Sequence, residues 1–171
     1  MVLENSFNKL IKARHGTLLY NKNDIYIGKS IEKYGEFSYL EAKIFEQICK
    51  DGDVVIEVGA NIGAHTLYLS KLVGNGYVFA FEPQRLVFQN LCANLALNSI
   101  SNVFAYQEAV SNENGTIIIP ECNFKENNNF GGINIENTKN GTTVNKQKLD
   151  NFLNKIDRLK LLKIDVEGME I

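Results

Sequence analysis

The chain has 171 residues, of which 44% are hydrophobic and 22% charged, ordinary globular material with enough apolar residues for one sizeable core. Apolar stretches such as Tyr77–Phe81 fall far short of the ~18 residues a membrane-spanning helix needs, and a net charge of −2 argues against a binder of nucleic-acid phosphates. Residues 1–16 carry Glu4 and no apolar stretch, so they do not read as a secretory leader; the three cysteines (Cys49, Cys92, Cys122) lack CxxC spacing, which disfavours disulfides or zinc and implies a reducing, cytoplasmic setting.

In chain order, Thr17–Tyr20 and Ile25–Ile27 predict a hairpin turning at Asn21–Asp24. Ser38 with Glu41 three residues on predicts a capping box, followed by a helix with Leu40, Ile44, Phe45 and Ile48 inward. From there strands and helices alternate. A strand is expected at Asp53–Val58, a helix at Ala64–Leu72 and a strand at Tyr77–Phe81 after Gly74-Asn75-Gly76. Pro83 suits the first turn of a helix whose apolar face is Val87, Phe88, Leu91 and Leu95. Strands at Val103–Tyr106 and Thr116–Ile119, a short helix at Leu149–Lys155 and a strand at Leu159–Ile164 complete the pattern. The polar tract Glu126–Asn129 before Phe130-Gly131-Gly132 reads as a loop. Alternation of this kind means a parallel sheet with helices on both faces, and ligands of such sheets sit beyond the carboxyl ends of the strands. The domain division expected is an N-terminal extension at 1–37 and an α/β domain at 38–171.

The first strand of the alternation runs into Glu57-Val58-Gly59-Ala60-Asn61-Ile62-Gly63. Glycines here let backbone turn sharply and approach a ligand at the start of a helix. Glu82 ends the next strand, where a carboxylate can accept both hydroxyls of a ribose. A nicotinamide cofactor would want glycine where Asn61 stands and would place a pyrophosphate near the charge of Glu57. The same carboxylate suits a cofactor that is cationic and carries no phosphate, S-adenosylmethionine (SAM).

EVGANIGAHT, FEPQ and KIDVEGMEI together resemble the FkbM family of SAM-dependent methyltransferases, with DIYIG, YGEFS and NFGG extending the resemblance from about Gly16 to Ile171. The resemblance implies a Rossmann-like class I methyltransferase fold, and methyl transfer to a hydroxyl of a sugar, polysaccharide or secondary-metabolite acceptor. It implies that Glu57, Gly59, Asn61 and Gly63 hold the methionine part of SAM and that Glu82 binds the ribose, with Pro83 shaping the turn. Glu108 and Ala109 would lie near the adenine. Asp165 and Glu167 are the candidate catalytic carboxylates, although an Asp at this place can instead orient SAM. No metal ligand is assigned.

Other residues keep two readings. His65 is either a base or packing on its helix, and His15 is expected at the surface. Tyr34, Glu36 and Ser38 either approach the cleft or merely begin a helix. Asn127–Gly132 is either a lid with a glycine hinge or a solvated loop. A non-catalytic SAM-binding module is the competing function. The resemblance implies further strands after Leu159–Ile164, so the 171 residues are expected to be part of a longer enzyme whose exposed apolar strand edge invites self-association.

Overall fold

The computed structural model describes residues 3–133, 138, 140–153 and 156–166. At its centre four parallel strands stand in the order β10-β4-β5-β6: β4 (Val54–Val58), β5 (Tyr77–Phe81), β6 (Val103–Tyr106) and β10 (Leu159–Ile164). Their near-continuous apolar sequences suit strands buried on both faces. Helices α2 (Tyr39–Ile48) and α3 (Thr66–Val73) cover one face, burying Phe45, Leu69 and Val73 against Val55 and Val78. On the other face the short helix α5 (Asp150–Leu153) sets Phe152 against Ile56, Val58 and Phe81. Among the described residues β10 pairs only with β4, and its Leu162 and Ile164 are each 41% exposed.

The N-terminal segment departs from the expected hairpin. Strand β3 (Gly16–Asn21) pairs antiparallel with an upstream strand, β2 (Asn8–Ala13), across a two-residue turn at Arg14-His15, and β1 (Leu3–Glu4) adds to β2. Ile27 begins a helix, α1 (Ile27–Tyr34), rather than ending a strand. The cause is local. Buried Asp24 turns its Oδ1 to accept the N–H groups of Tyr26 and Ile27 at 2.9 and 3.0 Å, satisfying donors that a helix start leaves free, and left-handed Gly35 ends the helix.

The other edge of β3 is closed by side chains of α4 (Arg85–Leu97) and the residue after it. Asn94 accepts from the Leu19 N–H at 2.6 Å and donates to the Leu19 carbonyl at 3.0 Å; Asn98 does the same for Thr17 at 2.8 and 2.7 Å. Two amides four residues apart thus stand in for a neighbouring strand, meeting the hydrogen-bonding demand of an edge. One core runs through both parts: Leu18, Tyr20, Ile27 and Ile31 pack with Leu67, Ala80, Leu91 and Leu95.

On α2 the buried side chains are Ala42 and Phe45, whereas Leu40 is 73% and Ile44 51% exposed. The expected inward face was therefore turned by about a third of the helix, because Phe45 fills the gap beside Val55 and Leu69. Ser38 bonds the Glu41 carboxylate rather than a backbone donor, so the capping box does not form as expected. A strand that composition hid, β9 (Gly141–Gln147), joins β7 (Ala109–Val110) and β8 (Gly115–Pro120) in a small third sheet. Only its Val144 is buried.

Candidate active site

At the carboxyl end of β4 the chain turns over Gly59, whose φ is +78°. A Cβ there would stand 1.9 Å from the Asp165 carbonyl oxygen, so the turn is pressed against the exit of β10. The N–H groups of Gly59 and Ala60 both reach the Phe81 carbonyl, at 3.0 and 2.9 Å. Asn61 takes a left-handed φ of +51° and its own Oδ1 accepts from the Ile62 N–H at 2.8 Å, the local bond that lets Asn tolerate this region. Gly63, at φ +83°, leaves room for Leu91.

Glu82 ends β5 and is only 3% exposed. Backbone donors lie over it on two sides. Asn61 N–H reaches Oε2 at 3.0 Å and Gln84 N–H reaches Oε1 at 2.8 Å. Burial pushes its carboxyl up to about 7; the two N–H groups oppose this, and the charge of Glu57 adds to it.

Glu57 points the other way. Its carboxylate accepts from the Thr66 hydroxyl at 2.6 Å and stands 3.6 Å from the Lys163 ammonium, its neighbour in register on β10. Lys163 is also 3.5 Å from Asp165. Glu57 thus shares a single lysine with Asp165, and the three groups together carry a formal charge of −1. Glu57 is not among the residues that line the cavities described next.

Three adjoining cavities meet at Gly59. The largest, about 260 Å³, is lined by Gly59, Asn61, Glu82 and Asp165 on one side and Tyr26, Ile27, Phe37 and Glu41 on the other. A second, about 60 Å³, lies between Glu82, Pro83 and Asp165. The third, also about 60 Å³, runs from Pro83 and Phe81 to Glu108 and Ala109. Seven of the sequence candidates (Gly59, Asn61, Glu82, Pro83, Glu108, Ala109 and Asp165) are therefore brought to one cleft. Gly63 lies behind it, and Glu167 falls outside the described residues. Glu41, Tyr26 and Phe37 were missed as cleft residues. Glu41 had been read only as a capping acid, and nothing in the local pattern shows that α1 and α2 fold over the strand ends.

The remaining candidates settle by burial. His65 is buried, its Nε2 3.1 Å from the Phe37 carbonyl oxygen and its ring against Phe45 at 5.3 Å. Burial holds its imidazole below the ordinary value, with Glu57 pulling it up and Lys163 pushing it down. His15 is not at the surface as expected: it is half-buried and stacks on Tyr68 at 3.9 Å. Glu36 turns to Arg14, 3.0 Å from its Nε, and Tyr34 is exposed; neither lines the cleft. The Asn127–Gly132 loop is not merely solvated. Phe130 is buried and stacks on Phe124 at 4.6 Å, its carbonyl accepts from the Gln84 amide at 2.7 Å, and Asn128 is tied to Asn23 and Ile25. Gly131 thereby becomes a cleft wall.

Among the described residues no group of three or more His, Cys, Asp or Glu side chains could hold a metal ion, and no helix is long and apolar enough to cross a membrane. The sequence profile described as the Methyltransferase FkbM domain matches residues 57–171. The chain belongs to the FkbM methyltransferase family. S-adenosylmethionine is accordingly the cofactor of this FkbM domain. "Methyltransferase 1" of Beauveria bassiana (strain ARSEF 2860) is 26% identical over 162 residues, covering 80% of this chain and 65% of that protein. "Methyltransferase sdnD" of Sordaria araneosa is 27% identical over 173 residues, covering 80% and 67%. The chain thus spans about two thirds of the length of these curated relatives. Among solved structures, a SAM-dependent methyltransferase from Aquifex aeolicus is 28% identical over 38% of this chain and 36% of its own, with a TM-score of 0.36.

Proposed function

We propose that this domain transfers the methyl group of SAM to a hydroxyl oxygen of a sugar, polysaccharide or secondary-metabolite acceptor. The observation that carries it is the run of cavities around Gly59, with buried Glu82 at the junction. Gly59 and Asn61 offer turning backbone to the methionine part, with Gly63 and the Glu57–Lys163 pair supporting that turn from behind. Glu82 takes the ribose hydroxyls. Pro83, Glu108 and Ala109 border the adenine. Asp165, at the end of β10, faces the large cavity from the cofactor side, with Glu167 two residues on in the sequence.

When bound, SAM supplies an already electrophilic methyl carbon, so what the protein adds is alignment of the acceptor and removal of its proton. The walls of the large cavity hold the acceptor oxygen in line and keep water away from it.

Calorimetry with SAM, its demethylated product and NAD tests the cofactor assignment: SAM should bind in the micromolar range and NAD should not compete. Glu82→Ala should weaken SAM binding by about 1–3 kcal/mol, since two hydroxyls lose a charged acceptor. NAD binding tighter than SAM would overturn the assignment. Labelled SAM with a panel of hydroxyl acceptors tests the transfer.

A further inference from the structure

We propose that Tyr26, Phe37 and Glu41 form the acceptor wall of the large cavity, and that Glu41, backed by His65, takes the proton of the acceptor hydroxyl. This rests on the methyl-transfer reading above.

The cavity has two unlike sides. Gly59, Asn61 and Asp165 come from strand ends and turns within residues 57–171, the stretch matched by the sequence profile. Tyr26 stands at the start of α1, Phe37 in the connection to α2 and Glu41 in the first turn of α2, all before that stretch begins. Tyr26 is 63% exposed and meets Phe37 edge-on at 6.0 Å, an aromatic step at the rim. Such a pair offers an apolar face to an acceptor, with the Tyr26 hydroxyl as its one polar group.

Three carboxylates line this cavity among the described residues, and they differ in what stands behind them. Glu82 has both oxygens engaged by backbone N–H groups. Asp165 has the Lys163 ammonium at 3.5 Å. Glu41, its side chain 42% exposed, accepts from the Ser38 hydroxyl and places Oε2 3.7 Å from His65 Nδ1. His65 Nε2 faces the Phe37 carbonyl, which can only accept, so Nε2 carries a proton and, in the neutral ring, Nδ1 holds the lone pair. Glu41 therefore faces an acceptor, and a proton arriving between the two has somewhere to go. Glu57 from β4 and Lys163 from β10 also act on this imidazole, with opposite signs, as does His15.

The chemistry balances. The acceptor oxygen forms its bond to the methyl carbon as the carbon–sulfur bond breaks, and that electron pair stays on sulfur. The hydroxyl proton goes to Glu41 and on to His65 Nδ1, leaving to solvent with the product.

The test uses the full-length protein, wild type and with Glu41→Gln or Tyr26→Ala. Without cofactor, nitrogen NMR of His65 should show the Nε2–H form, and Glu41→Gln should lower its titration midpoint; an unmoved midpoint overturns the pair. With S-adenosylhomocysteine bound, methyl glucoside, phenol and 1-butanol are tested as probes by saturation-transfer NMR. At least one should bind, tenfold or more weakly in Tyr26→Ala and unchanged in Glu41→Gln; binding by none, or binding indifferent to Tyr26→Ala, overturns the wall. Methylation of the bound probe should fall about 10²–10⁴-fold in Glu41→Gln, with SAM affinity unchanged. Full turnover in Glu41→Gln, or a bound probe that the wild type leaves unmethylated, overturns the role of Glu41. A wild-type protein that fails to bind SAM would instead sink the methyl-transfer reading itself.

Discussion

Gly59 and Gly131 both border the cleft, and they are held there by different physics. On the strand-end side, backbone does the work: Gly59 is in a left-handed conformation against the Asp165 carbonyl, and Glu82 is clasped by two N–H groups. On the facing side, side chains do it. Phe130 is buried against Phe124, Asp24 starts α1, and Phe45 sets the rotation of α2. A wall made by backbone geometry tolerates almost no substitution at its glycine, whereas a wall made by packing tolerates change wherever the side chain is not an anchor.

That contrast can be broken most sharply at Gly59. Gly59→Ala adds left-handed strain to a clash with backbone that cannot swing away, and should cost about 4–5 kcal/mol. A thermal melt within a degree of wild type would show that the turn relaxes. On the facing side, Phe130→Ala should cost about 3–4 kcal/mol through the cavity it leaves, and should open the loop to proteolysis near Asn127–Gly132. An uncut loop in a folded variant would mean that Asn128 alone anchors it.

Glu82 links the two sides through pH. Its carboxyl, raised to about 7 from 4.5, binds more protons in the folded chain than in the unfolded one between those values. Stability from this group is therefore full below about pH 4.5 and is lost as pH rises through about 7, a swing of about 3 kcal/mol. Chemical denaturation from pH 5 to 8 should show this decline in the cofactor-free protein and a flatter profile in Glu82→Gln; parallel profiles would assign the decline to other groups. The smallest effect belongs to Leu40. Being 73% exposed, its change to Ser should alter stability by less than about 0.5 kcal/mol, against several for Phe45→Ala, as urea titration would show.

What the sequence alone determined follows from interactions that are local or strictly periodic. Tyr77–Phe81, Val103–Tyr106 and Leu159–Ile164 form strands with those same bounds, since each is a compact apolar run between turn residues. The Gly59–Gly63 turn and the acid ending the next strand were legible because a strand-to-helix turn restricts which residues can occupy it. Tertiary structure alone decided the rest. Asn8–Ala13 and Gly141–Gln147 are too polar to read as strands without their partners β3 and β8. Glu57 and Lys163 meet only through the register of β4 with β10, a pairing that no local pattern announces. Glu41 reached the cleft because α2 is rotated to bury Phe45, and rotation about a helix axis is set by the shape of what it packs against.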